Sequence, residues 1–438
     1  MTAASTTSAL FTDQYELTML TSARKAGTAD RRCVFELFAR RLPEGRRYGV
    51  VAGVGRALEA IEAFRFDPDS LAFLTERGVV DADTARWLAD YRFGGDIVGY
   101  PEGEMYFPGS PILIAEGSFA ECVLLETVLL SVYNHDSAIA SAASRMTWAA
   151  GDRPCIEMGS RRTHERSAVA AARAAYLAGF TATSNLAAGR DYGVPTAGTA
   201  AHAFTLLHRD EREAFAAQLA TLGEGTTLLV DTYDVLPAVR LGVELTEGRL
   251  GAVRLDSGDL GALAVEVREL LDSLGARRTR ILLTSDLDEW QIAALASAPV
   301  DGYGVGTSVV TGSGHPTCGF VYKLVARAES DAPGAPLRPV AKKSKDKLSI
   351  GGRKQALRRL EDGVASAEVV TIEGDSDPDH DDRPLLVPLV RAGSPVGAEP
   401  LGTARDRHVR SRAELPMDAR KLSRGEPVLP TLYRQETR

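Results

Sequence analysis

From residue 151 to about residue 306 the chain repeats one pattern: a short apolar run, then a helical stretch rich in Ala, Arg and Glu. The runs are Cys155–Met158, Phe180–Ser184, Thr227–Val230, Ala252–Leu255, Ile281–Thr284 and Gly302–Val305. Stretches such as Ser167–Ala178, Leu260–Leu274 and Asp288–Ala296 are long enough for crossover helices. Strand and helix alternate mostly at roughly 20 to 30 residue intervals, with one longer gap before Thr227. That is the pattern of parallel βα units, and so many in succession predict a barrel rather than an open sheet. Spacing alone leaves closure of the barrel open.

Nearly every run ends in a polar residue: Arg161 and Arg162, Asn185, Asp231, Asp256 and Asp259, Ser285 and Asp286, and Thr307. Active sites of βα barrels gather at the carboxyl ends of the strands, so this placement predicts a shared site. Capping of the following helices accounts for Asn and Asp in such slots but not for arginines. Residues 1–115 read as part of a mixed α/β domain, with strand at Val34–Phe38 and Val98–Gly99 and helix at Arg56–Phe64. The barrel is expected over residues 116–330. It is entered through one helical stretch from about Gly117 to Ala150, where Glu121, Leu125, Val128 and Val132 recur at spacings of three and four. Pro- and Ala-rich Asp331–Pro339 marks a second boundary, and residues 331–438 are expected to return to the mixed domain and extend it. They carry a basic run, Lys342, Lys343, Lys345, Lys347, Arg353 and Lys354, and an acidic stretch, Asp375–Asp382, expected as a surface loop.

With 438 residues, 44% of them hydrophobic, the chain has apolar surface enough for a large core. A net charge of −8 argues against a broad footprint for nucleic acid or an acidic membrane, both of which demand an excess of Lys and Arg, and points to small-molecule partners. Cys33, Cys122, Cys155 and Cys318 are too scattered for a paired-cysteine zinc site or a disulfide framework, which suits a reducing compartment. Met1 to Leu10 holds no charged leader before an apolar stretch, and no segment reaches the roughly 20 apolar residues that cross a bilayer, so a cytoplasmic location is expected.

Several constellations have the residue types for chemistry. Gly302-Tyr-Gly-Val-Gly-Thr-Ser308 follows the last apolar run; glycines at 304 and 306 let backbone N–H groups approach a phosphate, and Thr307 and Ser308 add hydroxyls, although a plain turn uses the same residues. Arg254-Leu-Asp-Ser-Gly-Asp259 places two carboxylates three residues apart, suited to ribose hydroxyls or a hydrated Mg2+, while Arg254 can fork onto a carboxylate or phosphate. A helix cap is the alternative for both acids. Gly159-Ser-Arg-Arg-Thr-His164 supplies two guanidiniums, which either face the barrel mouth or pair with surface acids, and His164 reads as a bystander. His202 lies among small residues in Gly198-Thr-Ala-Ala-His-Ala-Phe204, open to a core, capping or reactive role. Tyr15 falls in Leu10-Phe-Thr-Asp-Gln-Tyr-Glu-Leu-Thr-Met19, where a helix starts at Thr12 or Asp13 and periodicity leaves the ring half-buried. The other histidines show no metal-ligand spacing, so zinc is not expected.

In this order the stretches resemble the nicotinate phosphoribosyltransferase family. The likeness is carried by Leu10–Met19, Ser131-Val-Tyr-Asn134, Gly159–Arg162, Gly198–His202, Arg254–Asp259, Gly304–Thr311 and Gly352-Arg-Lys354, and covers residues 10 to 395. It implies the type II phosphoribosyltransferase fold, an irregular α/β (TIM-like) barrel with a mixed α/β second domain, usually as a homodimer with sites near the subunit boundary. It implies formation of nicotinate mononucleotide and pyrophosphate from nicotinate and phosphoribosyl pyrophosphate in NAD salvage, with Mg2+ as cofactor and ATP as co-substrate.

On that likeness His202 is the histidine that ATP transiently phosphorylates. Tyr15, Thr199 and Arg254 match positions that hold nicotinate, Tyr15 by stacking on the pyridine ring, and Arg161 matches an arginine at the base and phosphate site. Asp256 corresponds to an acid near the ribose, and Gly306 with Thr307 to the cradle for a phosphate of phosphoribosyl pyrophosphate. Asp256 and Asp259 are the candidates for contact with Mg2+ through water. The related nicotinamide enzymes carry an aspartate near the strand end where this chain has Thr183-Ser184-Asn185, which favours the acid as substrate. Such a set is chemically coherent, because departure of pyrophosphate develops oxocarbenium character at the sugar and charge on the leaving group. Two alternatives stay open: a nicotinamide- or quinolinate-using relative on the same barrel, and a non-catalytic nucleotide-binding barrel. The joint presence of His202, Arg254, Asp256 and Thr307 argues against the second. The Arg-rich stretch after about Ala398 lies outside the likeness.

Overall fold

The computed structural model describes residues 7–332, 334–342, 350–372 and 382–434. Lys343, Lys345 and Lys347 of the basic run, and the acidic stretch from Asp375 to Asp381, lie outside the described residues. The chain forms two units: residues up to Ala138 together with Thr317 onward, and Ile139–Pro316. Both divisions differ from the expected 115/116 and 330/331, for reasons of packing. The first falls inside the helix Glu126–Ala150, whose early residues Val128, Leu129, Val132 and Tyr133 join the first unit's core. The second precedes the strand Phe320–Ala328, which pairs antiparallel with Arg32–Ala39 in the first unit's sheet.

In the first unit a seven-stranded sheet runs in the order Leu337–Pro339, Phe320–Ala328, Arg32–Ala39, Pro111–Ser118, Asp96–Gly99, Val387–Arg391 and Ser394–Pro395. Seven of the eight residues of Arg32–Ala39 are buried, so the strand reads as a continuous apolar run instead of alternating. Its one buried acid, Glu36, is matched by Lys354, whose Nζ lies 2.5 Å from Oε2. Arg353 likewise pairs with Glu116 at 3.0 Å, so two members of the expected basic run are committed within this unit. A four-stranded sheet follows in the order Asp382–Pro384, Lys354–Glu361, Val364–Ile372 and Thr431–Arg434. Asp382, expected in a surface loop, instead starts a strand and is buried beside Arg359 and Arg434 at 3.3 and 3.4 Å. The Arg-rich tail forms the helix Leu401–Ala413. The single helix expected over Gly117–Ala150 is two, Phe119–Val123 behind a Ser118/Glu121 capping box, and Glu126–Ala150. The break falls at Leu124 and Leu125, good helix formers that are both fully buried, so packing overrides propensity there.

The second unit holds six parallel strands in the order Ala182–Thr183, Cys155–Glu157, Gly302–Val305, Arg280–Leu283, Ala252–Leu255 and Thr227–Leu229. Five lie within the expected apolar runs, some of them shorter, and Arg280–Leu283 is shifted one residue ahead of the expected Ile281–Thr284. The sheet curls as a half barrel, and among the described residues no ladder joins its edge strands Ala182–Thr183 and Thr227–Leu229. Between these two strands the chain inserts the helices Leu186–Tyr192, His202–Leu207 and Glu211–Leu222, which is the long gap visible in the sequence. The barrel is therefore irregular. No helix among the described residues is long and apolar enough to cross a membrane.

Candidate active site

The carboxyl ends of the second unit's strands carry most of the polar residues singled out above. Arg161, Arg162, Arg254, Asp256, Thr284, Ser285, Asp286, Gly306 and Thr307, with Met158 and Gly304, line one cavity of about 310 Å3. Arg254 and Gly304 lie within their strands, and the others follow a strand's carboxyl end. Cys155–Glu157 ends in a carboxylate that accepts the Gly159 N–H and, at 2.5 Å, the Thr183 hydroxyl. Burial raises the Glu157 pKa, and the two hydrogen bonds work against that rise. A Cβ at Gly159 would fall 2.2 Å from Val310 Cγ1, so the turn bearing Arg161 and Arg162 lies directly against the segment that starts at Gly306.

Arg254 is the third residue of Ala252–Leu255, and its Nη1 donates to Thr199 Oγ1 at 3.0 Å. Its Nε is buried with no hydrogen-bond partner, a donor left over for an anion. Burial lowers the Arg254 pKa, Asp256 and Asp231 oppose this, and Arg161 adds to it. A guanidinium stays charged through shifts of this kind. Asp256 accepts the Thr284 hydroxyl. Asp259 follows the alternative reading: its carboxylate caps the helix Leu260–Ser273 through Ala262 N at 3.1 Å, and it is not among the residues lining the cavity. Asp286 stands there instead, as the second acid beside Asp256. His164 accepts the Arg166 N–H at 3.3 Å as the cap of Glu165–Leu177.

His202 opens the helix His202–Leu207, with Nδ1 3.1 Å from Thr232 Oγ1 and Nε2 4.0 Å from Asp231 Oδ1. The Asp231 side chain is 3% exposed, and that Oδ1 has no hydrogen-bond partner. Its Oδ2 accepts from Asp256 N at 3.0 Å and Ser257 Oγ at 2.7 Å. One carboxylate thus stands between the imidazole and the turn that carries Arg254 and Asp256. Sequence reasoning grouped Asp231 with the strand-end residues of a shared site but gave it no role of its own, since its partner lies on a different segment.

Tyr15 belongs to the first unit, on the helix Gln14–Lys25, and is 46% exposed, as its periodicity predicts. Its hydroxyl is pushed up to about 12 by burial, with Glu126 and Glu16 adding and a hydrogen bond to Thr127 opposing. Glu16 is fully buried and accepts from Thr127 N at 2.9 Å and Thr127 Oγ1 at 2.5 Å. Burial pushes its pKa up to about 7 despite these bonds. Among the described residues no group of three His, Cys, Asp or Glu side chains is placed to hold a metal ion alone.

The family model for the nicotinate phosphoribosyltransferase (NAPRTase) N-terminal domain matches residues 10–134. The nicotinate phosphoribosyltransferase pncB1 of Mycobacterium tuberculosis is 58% identical over 435 residues, which cover 96% of this chain and 94% of the relative. The chain belongs to the nicotinate phosphoribosyltransferase family. The human nicotinate phosphoribosyltransferase is 32% identical over 421 residues, 80% of this chain and 77% of its own. The crystal structure of human nicotinic acid phosphoribosyltransferase is similar at a TM-score of 0.82 and 27% identity, covering 97% of each chain. This member of the nicotinate phosphoribosyltransferase family is thus an enzyme with a mixed α/β unit and an irregular parallel barrel. Of the residues that the sequence likeness singled out, Arg161, Arg254, Asp256, Gly306 and Thr307 line one cavity, Thr199 is bonded to Arg254, and His202 reaches the same turn through Asp231.

Proposed function

We propose that the protein joins nicotinate to the ribose of phosphoribosyl pyrophosphate, forming nicotinate mononucleotide and pyrophosphate for NAD salvage. ATP hydrolysis is coupled through a phosphate carried transiently on His202. The observation that supports this best is the convergence of Arg161, Arg254, Asp256, Gly306 and Thr307, from separate strand ends, on one cavity. As pyrophosphate leaves the anomeric carbon, positive charge grows on the ribose ring and negative charge on the leaving group, so fixed groups of opposite sign lower the barrier. Asp256, steadied by Thr284, faces the sugar; Arg161 faces the anions; Gly306 and the Thr307 hydroxyl receive a phosphate. Arg254 and Thr199 take the nicotinate carboxylate, which sets the acid apart from the amide.

Asp256 and Asp286 are two cavity acids of the kind that hold Mg2+ through water alongside substrate phosphates. Bound there, Mg2+ would neutralise part of the charge on the departing pyrophosphate. Asp231 joins the two chemistries. Transfer of the γ-phosphoryl group breaks the bridging P–O bond of ATP and forms an N–P bond on His202; ADP leaves, and water later cleaves the N–P bond to release phosphate. The added charge next to Asp231 acts on the Asp256 N–H and Ser257 hydroxyl that the same carboxylate holds, which gives the coupling a physical path. Four buried, unpaired cysteines support a cytoplasmic location, and the exposed side chains of Leu186, Leu206 and Leu207 support a homodimer that covers them.

The test is product analysis by mass spectrometry with phosphoribosyl pyrophosphate, Mg2+ and ATP, offering nicotinate, nicotinamide and quinolinate separately. Nicotinate mononucleotide is expected from nicotinate alone, and His202→Ala is expected to fold and lose the stimulation by ATP. Turnover of another base, or full ATP stimulation in His202→Ala, would refute the corresponding part.

A further inference from the structure

We propose that Glu289 is a positioning residue: clamped by Arg145, it fixes the turn after the helix Thr307–Val310 through the Ser313 hydroxyl, and so sets Gly306 and Thr307 for the phosphate. The inference rests on the reading of those two residues as phosphate contacts. Glu289 opens the helix Glu289–Ala294 and its side chain is 1% exposed; Arg145, on Glu126–Ala150, is 3% exposed. Arg145 Nε donates to Glu289 Oε1 at 3.0 Å, and its guanidinium lies 5.5 Å from the centroid of the Trp290 ring. The other oxygen, Oε2, accepts the Ser313 hydroxyl at 2.6 Å. Neither charged residue lines the cavity.

A buried ion pair is weak evidence for stability, because desolvation of the two charges roughly cancels their attraction; its better-attested use is to specify one conformation. The conformation specified here is unusual. Gly312, Ser313 and Gly314 stand at φ of +60°, +51° and +82°, three successive residues in the left-handed region, and the middle one carries a side chain. A serine keeps that geometry when its surroundings over-determine it. Its N–H donates to Ser308 O at 2.7 Å, on the helix that the turn ends, and its hydroxyl donates to a carboxylate that Arg145 immobilises. Thr311 Oγ1 closes the same segment by donating to Thr307 O at 2.8 Å. Thr307 lines the cavity and lies six positions before Ser313, so the chain of contacts runs from a buried charge through Ser313 to a substrate-facing residue.

Ser313→Gly tests this without altering either member of the ion pair, since glycine accepts the left-handed backbone and removes only the hydroxymethyl side chain. Ser313→Asn is the rescue: asparagine tolerates the same backbone and its amide can donate to Glu289. The readouts are hydrogen–deuterium exchange of residues 307–316 in the substrate-free protein, and KM for phosphoribosyl pyrophosphate and for nicotinate alongside kcat. In Ser313→Gly, faster exchange of that segment is expected with KM for phosphoribosyl pyrophosphate up by about tenfold, while kcat and the nicotinate KM stay within about twofold. Ser313→Asn should recover most of both. Unchanged exchange in Ser313→Gly overturns the proposal, as does a parallel rise of both KM values with a lowered Tm, which marks general loosening. If the native protein makes no nucleotide at all, the functional reading fails, while the exchange data still decide whether Glu289 holds the turn.

Discussion

Gly304 and Gly306 look alike in the sequence, yet the structure predicts different outcomes when each becomes alanine. A Cβ at Gly304 would fall 2.5 Å from Thr284 Cγ2 and 2.8 Å from Met158 Sδ, whereas at Gly306 the nearest atom is Met158 O at 3.5 Å. The first is a collision inside packed structure, the second ordinary contact. Overpacking of this kind costs about 1–3 kcal/mol. In a unit of this size each kcal/mol lowers Tm by about 2–4 °C, so Gly304→Ala should melt roughly 2–12 °C lower. The atom that must yield belongs to Thr284, whose hydroxyl holds the Asp256 carboxylate, so the same push misplaces a proposed catalytic acid. Displacements approaching 1 Å at reacting groups cost up to about 100-fold in rate. Gly306→Ala avoids that collision and should instead weaken phosphoribosyl pyrophosphate binding, because Gly306 lines the cavity at the proposed phosphate cradle. Differential scanning fluorimetry with nucleotide-product kinetics on both variants is the assay. A Gly304→Ala protein with native Tm and native kcat would refute the packing argument.

Arg254→Lys replaces a planar fork by a point charge and breaks the bond to Thr199, so KM for nicotinate should rise about 10- to 100-fold; an unchanged value moves the carboxylate contact to another residue, Arg161 first. Ser285 lines the cavity at φ of +140°, a region that strains any residue with a side chain. Ser285→Gly relieves that strain at some entropic cost and should gain about 1 kcal/mol by chemical denaturation, and a loss of stability would contradict it. Glu16 has a folded-state pKa of about 7 against an ordinary 4.5, so its proton is bound more tightly in the folded state. Its contribution to stability is complete below about pH 4.5 and is lost as the pH rises through about 7. The Glu16→Gln variant should therefore show a flatter decline of Tm between about pH 5 and pH 8 than the native protein, and equal slopes would place the titration elsewhere.

The rhythm of the barrel was legible because periodicity is local. Six apolar runs became six parallel strands, and the long gap before Thr227 became the segment between the sheet's two edge strands. Once parallel strands are assigned, their carboxyl ends share one rim, so Arg161, Asp256 and Thr307 could be grouped from the sequence. The likeness to a family supplied roles for these residues that spacing does not. Other features were out of reach. Asp259 and Asp256 sit three residues apart in equivalent-looking slots, yet one caps a helix and the other faces the cavity, because the Ser257-Gly258 turn, with Gly258 at φ of +84°, sends them in different directions.

Residue order alone determined that this chain builds parallel βα units with polar strand ends and a glycine-bearing turn after the last of them. Only the tertiary structure decided who faces whom: Asp231 between His202 and Asp256, Lys354 inside with Glu36 instead of on a basic surface, and the division of units within a continuous helix. The physical reason is range. Backbone propensity and periodicity act over a few neighbouring residues, whereas hydrogen bonds, ion pairs and burial join residues far apart in the chain, and their partners exist only once it has folded.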